Sequence, residues 1–215
     1  MKVECLVFDV DGTIVNNAKG VVQLFQNNIK EFTGKRLSEQ EVLALWGPPG
    51  DEIFRNVVPS EVFDRAWKKF VHDYNEIHSS TGFFTKAHFM DMKKHIPFIA
   101  IFTGKARQTC QITLDKLGLN DIFDLIFTGN DVTRSKPYPD ALFKIIGILQ
   151  LKKDEILFLG DSHLDTQAGK SAGIKTAGAL WGTMEPQKLI DSKPDYIFET
   201  PKEFMSFIFQ QERSD

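Results

Sequence analysis

The sequence has little of what several protein classes require. Among its 215 residues there are two cysteines, Cys5 and Cys110, and no CxxC pair, so neither a disulfide framework nor a thiolate zinc site is expected. Both thiols sit in apolar or helical contexts and read as reduced packing residues, a single Cys5–Cys110 disulfide being the alternative. No apolar run approaches the ~20 residues of a membrane-spanning helix. The opening MKVECLVFDV meets the carboxylate of Asp9 before a signal-peptide core could form, which points to a cytoplasmic protein. No excess of basic charge is present either: Lys+Arg 26 against Asp+Glu 29 leaves a net charge of −3. Nucleic acid and anionic membrane are therefore not expected as partners. The five histidines show no metal-ligand spacing, and there is no internal repeat, low-complexity tract or long run of one charge. What is abundant is phenylalanine, 19 residues, read as an aromatic-rich core and not as a platform for stacking bases.

Short apolar runs alternate with helical periodicity over most of the chain. Residues 3–10, 97–103, 124–128, 155–160 and 175–180 read as strands buried on both faces. Helical patterns cover 105–117, 139–149 and 165–172, with Gly118 and Gly173 closing the first and last. Such alternation predicts a Rossmann-like, mostly parallel sheet with helices on both faces. Ligands of such sheets sit beyond the carboxyl ends of the strands, and those ends carry Asp9, Thr103 and Asp161. The rhythm breaks after Asp11. Two long helical patterns, 21–32 and 59–78, flank the turn-rich WGPPGDE segment at 46–52 with no convincing strand between them. Leu24, Phe25, Ile29 and Phe32 on one, and Val62, Phe63, Ala66, Trp67 and Phe70 on the other, recur at the spacing of packed faces. This predicts an all-helical cap domain over residues 16–81, inserted into a core formed by 1–15 and 82–215. The last residues, 210–215, are expected to fray.

The chemistry concentrates at strand ends. VFDVDGTIV, Val7 to Val15, runs from a strand into Asp9 and Asp11. Residues two apart in extended chain share a face, so the two carboxylates are expected to converge. Paired carboxylates suit a divalent cation, or a nucleophile with an acid/base partner. ILFLGDSHLD ends a second strand in Asp161, with Asp165 four residues on, read as the first residue of the next helix, where the ordinary alternative is a helix cap. Several carboxylates at one dry site repel unless a cation is present, which implies a hard ion, Mg²⁺ first. Thr103 offers a hydroxyl and Gly104 an unhindered amide. Lys136, stiffened by Pro137 and Pro139, offers a cation, although a solvated loop lysine is the plainer reading of it alone. His163 reads as a surface histidine, with the rim of the cleft as the alternative.

Taken in order, DVDGT at 9–13, Thr103, Lys136 in KPYPD and GDSHLD at 160–165 resemble the four motifs of the haloacid dehalogenase-like superfamily over the whole chain. Within it the sequence is most similar to phosphoglycolate phosphatase-like hydrolases. The segment before Phe98 departs from that pattern: it lacks a Pro-Gly pair and has His95-Ile96-Pro97 instead of a glycine-containing turn. The resemblance implies a Mg²⁺-dependent phosphatase of a small phosphorylated metabolite, working through an aspartyl-phosphate. Asp9 would be the nucleophile, Asp11 the general acid and base, and Thr103 and Lys136 the groups that hold the phosphoryl oxygens and their charge. Gly12, Thr13, Gly104 and Lys105 would bind substrate, and Asp9, Asp11 through its main-chain carbonyl, Asp161 and Asp165 the metal. Residues 47–55, with Lys105 and Arg107, are candidate selectors of a substrate for which phosphoglycolate is the first expectation. Pyrophosphate or sugar phosphate hydrolysis and a β-phosphoglucomutase-type transfer are the alternatives, ahead of a non-enzymatic binding protein. A monomer or homodimer is expected.

Overall fold

The computed structural model describes residues 2–78 and 82–210; the boundary placed at 81/82 and all but Gln210 of the fraying segment lie outside these. Six parallel strands form one sheet: β1 (Cys5–Phe8), β2 (Phe98–Phe102), β3 (Leu125–Phe127), β4 (Ile156–Gly160), β5 (Lys175–Ala179) and β6 (Tyr196–Phe198). Their order is β3-β2-β1-β4-β5-β6. The order reverses between β1 and β4, the place where an open α/β sheet leaves a crevice. In register, Cys5 to Phe8 pair with Phe98 to Ile101 on one side and Ile156 to Leu159 on the other.

Alternation along the central strands separates two cores. Leu6, Phe8, Ile99, Ile101, Leu157 and Leu159 face one layer, and Cys5, Val7, Ala100, Phe102, Ile156 and Phe158 the other. The first layer is covered by α5 (Lys86–Met92), α6 (Arg107–Leu117) and α10 (Pro201–Gln210), and the second by α7 (Asp140–Leu149) and α8 (His163–Ala172), with α9 (Pro186–Asp191) beside α8. Phe8, fully buried, meets Phe84, Phe89 and Phe204 edge-on at centroid distances of 5.8, 5.4 and 5.9 Å. The phenylalanines thus build a core, as read from their number. Both cysteines are free and buried, and burial pushes each thiol up to about 12, which makes them inert packing groups.

Helices α1 (Ala18–Thr33), α2 (Glu39–Ala44), α3 (Gly50–Val57) and α4 (Phe63–Ile77) close around a third cluster. Phe25, Phe54 and Phe70 lie at its centre, with Trp67 and Phe32 packed against it. The helical faces read from periodicity are the ones that pack.

Four expectations need correction. The strand read over 3–10 ends at Phe8, because the N–H groups of Ile14 and Val15 both bond to the Val10 carbonyl and curl the chain. β3 is not buried on both faces: it is the sheet edge, paired only with β2, and Ile126 is 38% exposed. Residues 50–52 are the first turn of α3 and not part of a turn-rich linker, since Asp51 and Glu52 stabilise its amino end. Strand β6 and helices α2, α5, α9 and α10 were not foreseen. β6, α2, α5 and α9 are short, and α10 buries only Phe204 and Ile208 fully. The departing segment before Phe98 forms α5, capped by Thr85, followed by a turn in which His95 and Ile96 bond back to Met92. Among the described residues no helix is long and apolar enough to cross a membrane.

Phe8→Ala removes the ring that joins three others and is expected to lower the unfolding free energy by about 3–5 kcal/mol. Urea denaturation against the parent protein measures it.

Candidate active site

The residues singled out by the sequence meet at the carboxyl ends of β1, β2 and β4. Asp9 follows β1, Thr103 follows β2, and Asp161 follows β4. All three line one cleft, together with Asp11, Gly104, Lys105 and Lys136. Asp9 and Asp11 converge, but not through strand alternation. The turn after Val10 brings Asp11 round, with Gly12 at φ +80° where a side chain would be strained. A Cβ on Gly12 would also lie 2.2 Å from Asp161 Oδ2, so only glycine lets the first and fourth motifs touch. Thr13 is fully buried, and its hydroxyl donates to Asp161 Oδ1 at 3.4 Å.

Oxygens of Asp9, Asp161 and Asp165 lie within 4.8 Å of one another, all three residues buried. Lys136 Nζ stands between two of them, 2.6 Å from Asp165 Oδ1 and 2.8 Å from Asp9 Oδ1. The contact to Asp9 is an ion pair outside hydrogen-bonding geometry, so Asp9 Oδ1 is a buried oxygen without a hydrogen bond. Asp165 is not the first helical residue. Ser162 caps α8 and Asp165 is its third residue, accepting through Oδ2 from Ser162 N at 3.0 Å and Ser162 Oγ at 2.6 Å. It is therefore both a capping residue and the brace of Lys136.

These contacts decide the charge balance. Burial raises the Asp9 carboxyl to about 6, against the pull of Lys136 and with help from Asp165 and Asp11. Burial, then Asp9 and Asp165, push Asp161 well above the ordinary carboxylate range. Burial opposes the charge on Lys136, yet Asp165 and Asp9 outweigh it and hold the ammonium firmly protonated. Ionised together, three carboxylates facing one ammonium would carry an excess of two negative charges, which is why burial resists it, and Asp9 Oδ1 has no hydrogen bond. A hard divalent cation fits this set of oxygens. The carboxylate of Asp11 is not in the cluster; it faces Lys105.

Lys105 is buried, and its Nζ donates to both Asp11 oxygens at 2.9 and 2.8 Å and to the Tyr74 hydroxyl at 2.7 Å. Tyr74 sits on α4 and its hydroxyl also meets Thr113 on α6 at 2.7 Å and Asn17 at 3.0 Å. Sequence reasoning missed Tyr74. The available signal was a hydroxyl in the apolar stripe Ala66, Phe70, Tyr74. Thr103 is buried with its hydroxyl accepting from Lys105 N at 3.3 Å. Of the candidate selectors, Gly47, Pro48, Gly50 and Ile53 line the cleft. Arg107 is exposed and pairs with Asp131, and Arg55 lies over the Phe63 ring at 4.0 Å; neither lines the cleft. His163 does line it, half-buried, so the surface reading of that residue is replaced by the rim reading.

Known proteins share this fold. The family described as haloacid dehalogenase-like hydrolase matches residues 6–179. Pyrophosphatase PpaX of Bacillus anthracis is 28% identical over 216 residues, covering 100% of both chains. A predicted phosphoglycolate phosphatase from Haemophilus somnus shares the fold with a TM-score of 0.82 at 23% identity, covering 96% of this chain and 98% of that one. A phosphonoacetaldehyde hydrolase-like protein from Oleispira antarctica superposes with a TM-score of 0.79 at 16% identity, covering 99% and 94%.

Lys136→Met leaves Asp9 and Asp165 buried without their ammonium and is expected to lower stability at pH 7.5 by about 3 kcal/mol. A carboxyl whose folded pKa lies above its unfolded value contributes fully only below that unfolded value and loses the contribution as pH rises through the folded one. Asp9, already raised to about 6, moves higher without Lys136. The deficit against the parent protein should therefore grow from pH 5 to pH 7.5 in denaturant titrations.

Proposed function

Since the chain belongs to the haloacid dehalogenase-like hydrolases and is a phosphatase of that family, we propose that it hydrolyses a small phosphate ester through a phosphorylated Asp9, with Mg²⁺ bound by the carboxylate cluster. The observation that carries this reading is the buried trio Asp9, Asp161 and Asp165 within 4.8 Å, with Lys136 between two of its members. Phosphoryl transfer asks a protein mainly for positioning and for charge neutralisation, and these groups supply both.

An oxygen of Asp9 attacks phosphorus, and the bond from phosphorus to the leaving oxygen breaks. For this step Asp11 must carry a proton, taken up before attack and still contacted by Lys105 through its other oxygen; that proton passes to the leaving oxygen, so the alcohol leaves neutral. Asp11 then takes a proton from water, whose oxygen attacks the same phosphorus; phosphate departs and the Asp9 carboxylate is restored. Lys136 offsets charge on Asp9 and on the phosphoryl oxygens throughout, and Thr103 with the Gly104 amide holds two of those oxygens. Asp9, Asp161, Asp165 and the Asp11 main-chain carbonyl would hold the Mg²⁺, which supplies charge stabilisation for the transferring group. Gly12 and Thr13 keep the first loop against Asp161.

In this reading α1 to α4, residues 16–81, act as a cap domain over the core made by 1–15 and 82–215, closing the cleft against bulk water. Support comes from their separate hydrophobic cluster and from contacts that cross the cleft. Trp67 donates to Gln108 at 2.8 Å, and Asn130 to both Asp51 oxygens at 3.1 Å. The name carried by the Bacillus relatives puts pyrophosphate on the panel to be tested.

Asp9→Asn removes the attacking oxygen and is expected to lower phosphate release by about three orders of magnitude or more; full activity in that variant would sink the aspartyl-phosphate reading. Mg²⁺ at about 100 times its Kd should add about 2.7 kcal/mol, roughly 5–10 °C in Tm for a chain of this length. Thermal melts with and without Mg²⁺ measure this, and Asp161→Asn should lose most of the shift.

A further inference from the structure

The wall of the cleft opposite the carboxylates is apolar. Val21, Phe25, Leu43, Trp46, Ile53 and Phe70 face it from the helical side. Two lysines line it, Lys105 and Lys136; the donors of Lys105 are all engaged, and Lys136 is paired with Asp165 and Asp9. An ammonium has three donors. Those of Lys105 go to Asp11 Oδ1, Asp11 Oδ2 and the Tyr74 hydroxyl. Lys136 gives one to Asp165 and is ion-paired with Asp9, and it serves the phosphoryl group at the opposite side of the cleft from the apolar wall. Glu185 also lines the rim, where it is ion-paired with the exposed Lys188 at 2.6 Å and so offers no free charge of either sign. His163 is the remaining imidazole on the wall, with a buried Nδ1 that has no hydrogen bond.

Among the described residues that line the cleft, a second phosphate or a carboxylate on the substrate would meet no cation that is not already paired with an acid. Burying an unpaired anion against such a wall is costly, whereas an uncharged group covers the same apolar surface favourably. We propose that the substrate is a phosphate monoester whose leaving group is uncharged and partly apolar, selected against pyrophosphate and against carboxylate-bearing esters such as phosphoglycolate. This rests on the phosphatase reading above and adds its substrate class. Lys105 is central to it: its salt bridge to Asp11 and its bond to Tyr74 take away the cation that an anionic leaving group would need.

The test is a matched pair: benzyl phosphate and its 4-carboxylate analogue, which differ by one charge far from the reacting bond, with pyrophosphate and phosphoglycolate alongside. Initial rates of phosphate release are read for the full chain with Mg²⁺ at pH 8. The expected kcat/KM for benzyl phosphate is at least about tenfold above that of the carboxylate analogue, and above those of pyrophosphate and phosphoglycolate. Leu43→Arg, which adds a cation to the wall away from the reacting groups, should narrow the ratio within the matched pair by about tenfold. A ratio near or below one in the parent protein, or higher turnover of pyrophosphate or phosphoglycolate, overturns the substrate class while leaving the phosphatase reading in place. Release of no phosphate from any of the four compounds removes that reading and this proposal with it.

Discussion

Three carboxylates within 4.8 Å of one another, all buried, are the constraint around which the molecule is arranged. In a dry cleft like charges at that spacing repel strongly, and nothing in the strands that carry them relieves it. Lys136 offsets part of the repulsion from its place between Asp9 and Asp165. Raised carboxyl pKa values relieve more of it, and the strands that end in Asp9 and Asp161 are the two central ones of the sheet. β1 and β4 have no exposed residue, and each is paired on both edges. A strained cluster of charge is tolerable at the end of such strands because moving it would break two buried layers at once.

Several residues meet the local needs of the backbone and the needs of the cleft together. Asp165 closes a capping box with Ser162 and, through its other oxygen, aligns Lys136. Gly160 ends β4 where a Cβ would lie 2.3 Å from the Asp165 carboxyl carbon, so the tight turn into α8 and the position of Asp165 depend on the same absent side chain. On the far side, Tyr74 spans two cores. Its ring stacks on Phe70 within the helical cluster, and its hydroxyl meets Lys105 and Thr113, both from the sheet-bearing part. Burial raises that hydroxyl to about 12, so it stays a neutral link. Through Tyr74 and Lys105 the placement of α4 reaches the carboxylate of Asp11 directly.

Much of this was legible in the chain. The apolar runs that end in Asp9, Thr103 and Asp161 became β1, β2 and β4, because runs long enough to be buried on both faces have no other stable use in a protein of this composition. Gly118 and Gly173 close their helices in left-handed conformation as read. The misses share a cause. β6 is a three-residue edge whose strand character comes from a neighbour's hydrogen bonds and not from its own residues. α2 carries only Val42 fully buried, too little for periodicity to register.

The candidate site divides the same way. Residue types and order singled out Asp9, Asp11, Thr103, Lys136, Asp161 and Asp165 as a set, although a helix cap for Asp165 and a solvated loop lysine for Lys136 were ordinary readings of those members alone. Their division of labour was decided only in three dimensions. Lys105 belongs to Asp11, Lys136 to Asp9 and Asp165, and Arg107 to the surface pair with Asp131. Each lysine and arginine carries the same charge in the sequence; which one faces which acid depends on where β2, β4 and α4 converge. The sequence by itself determined the chemistry available at the strand ends. The tertiary structure decided which charges cancel, and so which remain for a metal and a substrate, because ion pairing depends on distances across the fold that no local pattern encodes.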